Sequence, residues 1–314
     1  MVREVLGTES PRSLLVVAGA TASGKGALAR ELALRLDGEI VSADSRKIYR
    51  GLDIGTAKPS VQDQAAIPHH LLDCCDPGAR FSAAEFVHRA DSVIADIVSR
   101  GRLPIVCGGT GLYIRSLLRG IIDTPPRDDA MRAELLEQEK QQAGFLHQRL
   151  SRLDPKSAAR IPAGDSLRLV RALEVLALSG KALSDFHAEH GLAEERYRSF
   201  QLIPNWAPEI LRKRVAERVE RMLQAGWLAE VRRLRSEGAS SALDVVGYKQ
   251  LAAHLDGSMS LSEARDAITT AHWRYAKQQL TWFKGQNDMR WLPTPVNVDE
   301  VEAEVRQFLL EAGA

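Results

Sequence analysis

One short segment constrains this chain more than any other: Gly19–Gly26, reading GATASGKG. The pattern G-x-x-x-x-G-K suits a backbone that curls tightly, so that successive N–H groups converge on phosphate oxygens while a lysine supplies a point charge. Such a loop works between a buried strand and a helix whose N-terminal dipole adds to the pull on an anion. Both neighbours are present. Leu14–Ala18 (LLVVA) is a short apolar run that reads as a buried parallel strand. Ala27–Leu36 (ALARELALRL) carries apolar residues at helical spacing. A chance glycine-rich turn is the competing reading, and the flanking strand and helix weigh against it. Gly19, Ala20, Thr21, Ala22, Ser23, Gly24, Lys25 and Gly26 are therefore the expected phosphate cradle. One element departs from the pattern. Gly26 stands where a serine or threonine hydroxyl normally ligates Mg2+ or bonds a phosphate oxygen. It offers only its N–H, so metal or diphosphate affinity is expected to be weaker or supplied from elsewhere.

The strand–helix alternation continues. Glu39–Ala43 (EIVSA) reads as a second strand and delivers Asp44 at its C-terminal end. Phe86–Ser99 is expected to be a helix, and Leu103–Cys107 (LPIVC) a third strand, followed by GGTGLY. This order predicts an α/β fold, a P-loop parallel sheet flanked by helices. Ligands in such sheets bind beyond the carboxyl ends of the strands, where Gly19–Gly26, Asp44 and Gly108–Thr110 fall. The texture changes after Thr124-Pro125-Pro126. From Asp128 to about His190 the pattern is helical, and the next strand-like run is Ser199–Ile203 (SFQLI). The expected organisation is a catalytic core of residues 1–123 and 199–314, interrupted by an all-helical insertion at 124–198. From Pro208 helices resume. Ile210–Glu237 is long and charged, with Arg212, Lys213, Arg214, Arg218, Arg221, Arg232, Arg233 and Arg235. Its plain reading is a solvated face with i,i+4 ion pairs.

Bulk properties exclude several classes. A length of 314 residues is ample for a buried core. The net charge of +1 removes the overall basic field of a non-specific nucleic-acid binder, though a local basic face is still allowed. No apolar run approaches the roughly 18 residues of a membrane span, and MVREVLGTESPRS lacks the apolar stretch of a signal peptide. Cys74, Cys75 and Cys107 are odd in number and lack metal-ligand spacing. A reduced, cytoplasmic location without membrane attachment is the expectation.

A second block sharpens the first. Asp44–Pro59 reads DSRKIYRGLDIGTAKP, and further along stand PHHLLD (Pro68–Asp73), GGTGLYIRSLL, RALEV (Arg171–Val175), VGYKQL (Val246–Leu251) and YAK-Q-QLTWF (Tyr275–Phe283). Together with GATASGKG these resemble the bacterial tRNA isopentenyltransferase family over nearly the whole chain. The resemblance implies transfer of a dimethylallyl group from dimethylallyl diphosphate to N6 of adenine 37, beside the anticodon, in tRNAs reading codons that begin with U. It implies Mg2+ as cofactor, tRNA as partner and a monomeric enzyme. A neutral exocyclic amine is a poor nucleophile, so a general base helps, and Asp44 matches the family's proposed base. On the residues alone Asp44 reads more plainly as a helix cap or loop carboxylate. Charge grows on the departing diphosphate, and Lys25, the loop N–H groups and a further arginine stabilise it. By family match that arginine is Arg218, in LRKRVAERVERML.

The adenine must leave its stack to reach such a site. The family passes it through a channel between the sheet domain and the helical insertion. The residues matching its tRNA contacts are Asp44, Ser45, Arg46 and Lys47; Thr110, lining the channel; Arg132; Leu167, Arg168, Leu169, Val170 and Arg171; Asp244, Val245, Val246, Gly247, Tyr248 and Lys249; and Lys277, within 277–284. Arg168, Arg171, Lys249 and Lys277 are candidates for phosphate neutralisation. Tyr248 and Trp282 are candidates for base stacking, with core packing the plainer reading of each.

Several motif positions depart from the family pattern. Besides Gly26, Lys47 stands for glutamine and Glu85 for aspartate. Pro162-Ala163-Gly164-Asp165 stands for His-Pro-Asn-Asp, and Asp244 for glutamine or arginine. His272-Trp273 stands for Thr-Arg, with Arg274 adjacent, and Lys277-Gln278-Gln279 for Lys-Arg-Gln. Asp44, Lys25 and Arg218 are retained, which favours an active enzyme with shifted tRNA contacts over a diverged paralogue. Two other classes compete. A P-loop kinase or NTPase needs a Mg2+ ligand after Lys25, which Gly26 is not. A non-catalytic tRNA-binding protein would bind tRNA regardless of Asp44. An adenylate isopentenyltransferase, acting on free AMP, is disfavoured by the helical insertion and the tRNA-type C-terminal block.

Overall fold

The computed structural model describes residues 13–190 and 195–311. The chain divides into two compact units, one of Met1–Leu118 with Glu195–Ala314 and one of Arg119–Glu194. Within the first, the described strands are β1 (Ser13–Ala18), β2 (Gly38–Ala43), β3 (His69–His70), β4 (Leu103–Gly108), β5 (Arg198–Asn205) and β6 (Met289–Pro293). They form one sheet in the order β3-β2-β4-β1-β5-β6, with every pairing parallel. Successive side chains of a strand point to opposite faces. Leu14, Val16 and Ala18 accordingly enter one core with Phe86, Ile94, Tyr113, Leu117 and Phe283. Leu15 and Val17 enter a second core with Leu28, Leu32, Val301 and Val305. Burial on both faces explains why these strands are continuously apolar.

The helices of this unit are α1 (Lys25–Arg35), α2 (Val61–Ala66), α3 (Ala83–Ser99) and α4 (Gly111–Arg119), the last ending one residue beyond the boundary. The second unit holds α5 (Asp129–Gln141), α6 (Phe145–Leu153), α7 (Pro155–Ala158), α8 (Ser166–Ser179) and α9 (Leu183–His190). The first unit then resumes with α10 (Pro208–Gln224), α11 (Trp227–Ser236), α12 (Tyr248–Leu255), α13 (Leu261–Lys284) and α14 (Val298–Glu311). Leu135, Leu146, Leu150, Leu169, Val170 and Leu173 make the core of the helical unit. No described helix is long and apolar enough to cross a membrane.

Four expectations need correction. The helical unit starts at Arg119 rather than 124 and ends at Glu194 rather than 198, because Arg198 pairs with Ser13 and belongs to β5. The basic stretch from Ile210 to Glu237 is two helices, broken where Gly226 takes φ 98°, a conformation that glycine adopts at little cost. Helix α1 begins at Lys25, inside the glycine loop, rather than at Ala27. Strands β3 and β6 were not anticipated: β3 has only two residues, and β6 is MRWLP, whose arginine and proline mask an apolar run.

Candidate active site

The loop after β1 is held by its carbonyls. Lys25 Nζ and Ser23 N both donate to Ala20 O, at 3.1 and 3.2 Å. Arg214 Nε donates to Ala22 O at 3.0 Å, and Trp206 Nε1 to Ser23 O at 2.8 Å. Arg214 lies over the Trp206 ring, 4.3 Å from its centroid, so the two donors brace each other. In a planar trans peptide, tying the Ser23 carbonyl to Trp206 turns the Gly24 N–H the opposite way. Gly24 itself has φ 90°, which a Cβ would strain. At Gly26 a Cβ would meet nothing closer than Arg30 Nη1 at 3.8 Å, so the missing hydroxyl is not a matter of space.

A residue that the sequence left in the background completes the loop. Gln279 of α13 accepts from Thr21 N at 2.8 Å through Oε1 and donates to Gly109 O at 2.8 Å through Nε2. One buried amide thus ties the phosphate loop to the loop after β4. The second loop in turn fixes the end of β2. Thr110 N donates to Ala43 O at 3.2 Å, and Ser45 N donates to Thr110 Oγ1 at 3.0 Å. The only sequence signal for Gln279 was its place in the YAK-Q-Q motif.

Asp44 stands at this junction. Its Oδ1 accepts from Arg46 N at 2.9 Å and Lys47 N at 3.4 Å, so it does cap its own turn. The same carboxylate lies within electrostatic reach of Lys25, Lys47 and Arg218. Both readings of Asp44 therefore describe the same side chain, with capping on one oxygen. Burial lowers the Lys25 ammonium to about 8, with Arg218 pushing the same way against Cys107 and Asp44. Lys47 is lowered by burial too. Arg218 is half-buried on α10, and its Nε has no hydrogen-bond partner among the described residues. It is no solvated surface arginine. Burial lowers its guanidinium, opposed by Asp44, yet an arginine stays charged at any working pH. Three cations and one carboxylate at the strand ends give a site with the charge to take a polyanion.

The DIGTAK block supports this site from behind. The Glu230 carboxylate accepts from Asp53 N, Ile54 N and Gly55 N at 3.0, 2.8 and 3.2 Å, and from Tyr248 OH at 2.6 Å. Lys58 Nζ bonds Tyr49 O at 2.7 Å, Asp53 at 2.7 Å and Asp73 at 2.5 Å. The motif is thus a folding unit that follows Asp44. Tyr248 is wholly buried against the edge of Trp227, which corrects its reading as a base-stacking ring. Trp282 is half-buried, with Arg115 4.8 Å from its centroid. Around Tyr248, Asp244, Val246 and Lys249 are exposed, Val245 is half-buried and Gly247 is buried. Arg46 and Lys277 are exposed, and Lys277 lies 5.7 Å from the Trp273 ring centroid.

In the helical unit, two arginines expected to contact tRNA, Arg171 of them through phosphate, are already engaged. Arg132 Nε and Nη2 reach Glu174 at 2.7 and 2.8 Å, and Arg171 Nη1 reaches it at 2.5 Å. Arg171 Nη2 also donates to Thr124 Oγ1 and Pro125 O, at 2.7 and 2.9 Å. Glu174 is fully buried. Burial works to raise its carboxyl, but the bonds from Arg132, Arg171 and Asp128 N prevail and hold it at about 2. Leu169 and Val170 are core residues, while Leu167 and Arg168 are exposed. Phosphate neutralisation by Arg171 is corrected on this ground, since its guanidinium closes the unit on itself.

Residues 47–286 match the family model described as IPP transferase. A tRNA dimethylallyltransferase of Geobacter metallireducens is 45% identical over 304 residues, covering 96% of this chain and 98% of the relative. One from Anaeromyxobacter sp. strain K is 46% identical, covering 94% and 97%. Among solved structures, the tRNA isopentenylpyrophosphate transferase of Bacillus halodurans has a TM-score of 0.68 at 34% identity, covering 96% of each chain. A eukaryotic dimethylallyltransferase, described as acting on tRNA, has a TM-score of 0.78 at 26% identity, covering 94% of this chain and 77% of that one. With a P-loop, a strand-end aspartate and a half-buried arginine near one another, and with relatives matched along its length, the chain belongs to the tRNA dimethylallyltransferase family of prenyltransferases.

Proposed function

We propose that this chain transfers the dimethylallyl group of dimethylallyl diphosphate to N6 of adenine 37 in tRNAs that read codons beginning with U. The observation that carries the reading is Asp44 within electrostatic reach of both Lys25 and Arg218. Lys25, Arg218 and the N–H groups of Gly19–Gly26 other than the engaged Thr21 and Ser23 hold the diphosphate. N6 attacks the allylic carbon, the carbon–oxygen bond breaks, and diphosphate leaves with the electron pair. Asp44 takes the N6 proton. The exposed Arg46, Leu167, Arg168, Asp244, Val246, Lys249 and Lys277 are the surface contacts left for the tRNA.

Mg2+ is proposed as the companion of the diphosphate. Among the described residues no three His, Cys, Asp or Glu side chains cluster to hold a metal, and Gly26 brings no hydroxyl. That donor set fits a cation carried in on phosphate oxygens, since Mg2+ commonly binds through substrate phosphates. When bound, it would offset the charge growing on the leaving group. A cytoplasmic site of action is proposed with this substrate.

The test is incubation of the protein with radiolabelled dimethylallyl diphosphate, Mg2+ and unmodified tRNA. Label in tRNA is expected. Label in AMP, or in neither acceptor, rejects the reading. A Gly26→Thr change fits the space at that position and is expected to lower the KM for the diphosphate substrate several-fold, as one added hydrogen bond to a charged group would. An unchanged KM would mean the loop compensates by other means.

A further inference from the structure

Helix α13 buries one stripe: Ala264, Ile268, His272, Ala276, Gln279 and Phe283. Two members are polar. Gln279 has both ends of its amide bonded. His272 does not: it is 8% exposed, and its Nδ1 has no hydrogen-bond partner among the described residues. A buried polar group without a partner is costly and asks for an explanation.

Register supplies one. Val215 of α10 shares a core with Ala276, and Val219 shares another with Ile268. Residues advance along α10 as they recede along α13, so the two helices run antiparallel at this seam. Between those two apolar pairs in sequence lie Arg218 on α10 and His272 on α13, and Arg218 acts electrostatically on the imidazole. Arg218 Nε is also without a partner among the described residues. A guanidinium N–H only donates, and a neutral imidazole nitrogen accepts. Trp227 packs on His272 with ring centroids 6.0 Å apart, but its indole N–H is directed elsewhere, toward Gly55, where a Cβ would lie 2.2 Å from it.

We infer that His272 is a positioning residue for Arg218: in the loaded site its Nδ1 accepts the Arg218 Nε–H, so that the two terminal guanidinium nitrogens face the diphosphate. Resting on the proposed function only for the ligand of Arg218, the inference uses a residue at which this chain departs from its family's pattern, where threonine is usual. Burial, with Arg218 adding to it, lowers the imidazole to about 4, so its lone pair is available at working pH. Threonine also offers an oxygen acceptor, from a shorter side chain.

The test compares His272→Leu with His272→Asn, whose amide oxygen stands near the place of Nδ1. Titration calorimetry with inorganic diphosphate and Mg2+ reads the site without any transfer step. His272→Leu is expected to weaken diphosphate binding about tenfold, the worth of one hydrogen bond to a charged group. The KM for dimethylallyl diphosphate should rise with it and tRNA affinity should hold. His272→Asn is expected to recover most of the loss. Thermal stability of the leucine variant should be unchanged or higher, because an orphan polar atom has left an apolar seam. Should it not fold, His272→Ala carries the same comparison. Equal diphosphate affinity in wild type and the leucine variant overturns the inference, as does an asparagine variant no better than leucine. Failure of the labelled-tRNA assay would reject the proposed function, while the diphosphate ratios would still judge His272.

Discussion

Arginines meet opposite fates in the two units of this protein. In the helical unit Arg132 and Arg171 converge on the buried Glu174, which also receives the N–H of Asp128. In the sheet unit the half-buried Arg218 has no hydrogen-bond partner for its Nε among the described residues, and lies within electrostatic reach of an aspartate that caps its own turn. By family resemblance Arg218 is expected at the diphosphate, and Arg132 and Arg171 at the tRNA. What separates them is whether a carboxylate is built opposite. A paired cation is part of the scaffold, and one held without a full complement of partners is left for a ligand.

The sharpest way to break that contrast is at Glu174. Glu174→Gln leaves two arginines around a neutral group, and breaking a buried pair costs about 3–5 kcal/mol. Denaturant unfolding should register that loss in the helical unit. The carboxyl is held at about 2 in the folded protein against an ordinary 4.5. Its contribution is therefore fully present above pH 4.5 and disappears as pH falls toward 2, on the order of 3 kcal/mol in all. A flat stability profile across that window would deny Glu174 its role.

Arg218→Gln should do the reverse. Transfer is expected to fall by about 10²–10³-fold, the usual cost of losing one donor to a developing anion. Stability should be unchanged or higher, since a desolvated charge is gone. A large loss of stability would class Arg218 with Arg132 and Arg171. Next comes Gln279→Ala, which releases Thr21 N and Gly109 O. A loss of about tenfold in kcat/KM for dimethylallyl diphosphate is expected, as for about 1.4 kcal/mol of positioning, with little change in tRNA affinity. The smallest effect belongs to Arg168, whose exposed side chain pairs with Asp165 at 3.3 Å. Arg168→Ala should weaken tRNA binding a few-fold and reduce the salt slope by about one, if it meets a phosphate.

Much of this was legible in the chain itself. GATASGKG between an apolar run and a helical pattern fixes a P-loop sheet, because spacing and neighbours both bear on it. Asp44 was legible only through resemblance, since a carboxylate after a strand reads equally well as a cap, and it is one. Arg218 was singled out of a basic run in the same way. The partners were hidden. Glu174 bonds Arg132 at a separation of 42 positions, Glu230 bonds Gly55 at 175 and Gln279 bonds Thr21 at 258, and no local pattern encodes such pairings. For Tyr248 the plainer reading, core packing, holds over base stacking, because Trp227 and Glu230 enclose it.

The central claim is that Asp44 serves as base beside a diphosphate held by Lys25 and Arg218. Single-turnover transfer by Asp44→Asn tests it most directly, because asparagine keeps an oxygen to cap the turn and removes the charge. The account predicts a fall in transfer rate of about 10²–10⁴-fold, with diphosphate affinity unchanged or tighter as a negative charge leaves the site. Transfer at the wild-type rate would contradict it and leave Asp44 a cap alone.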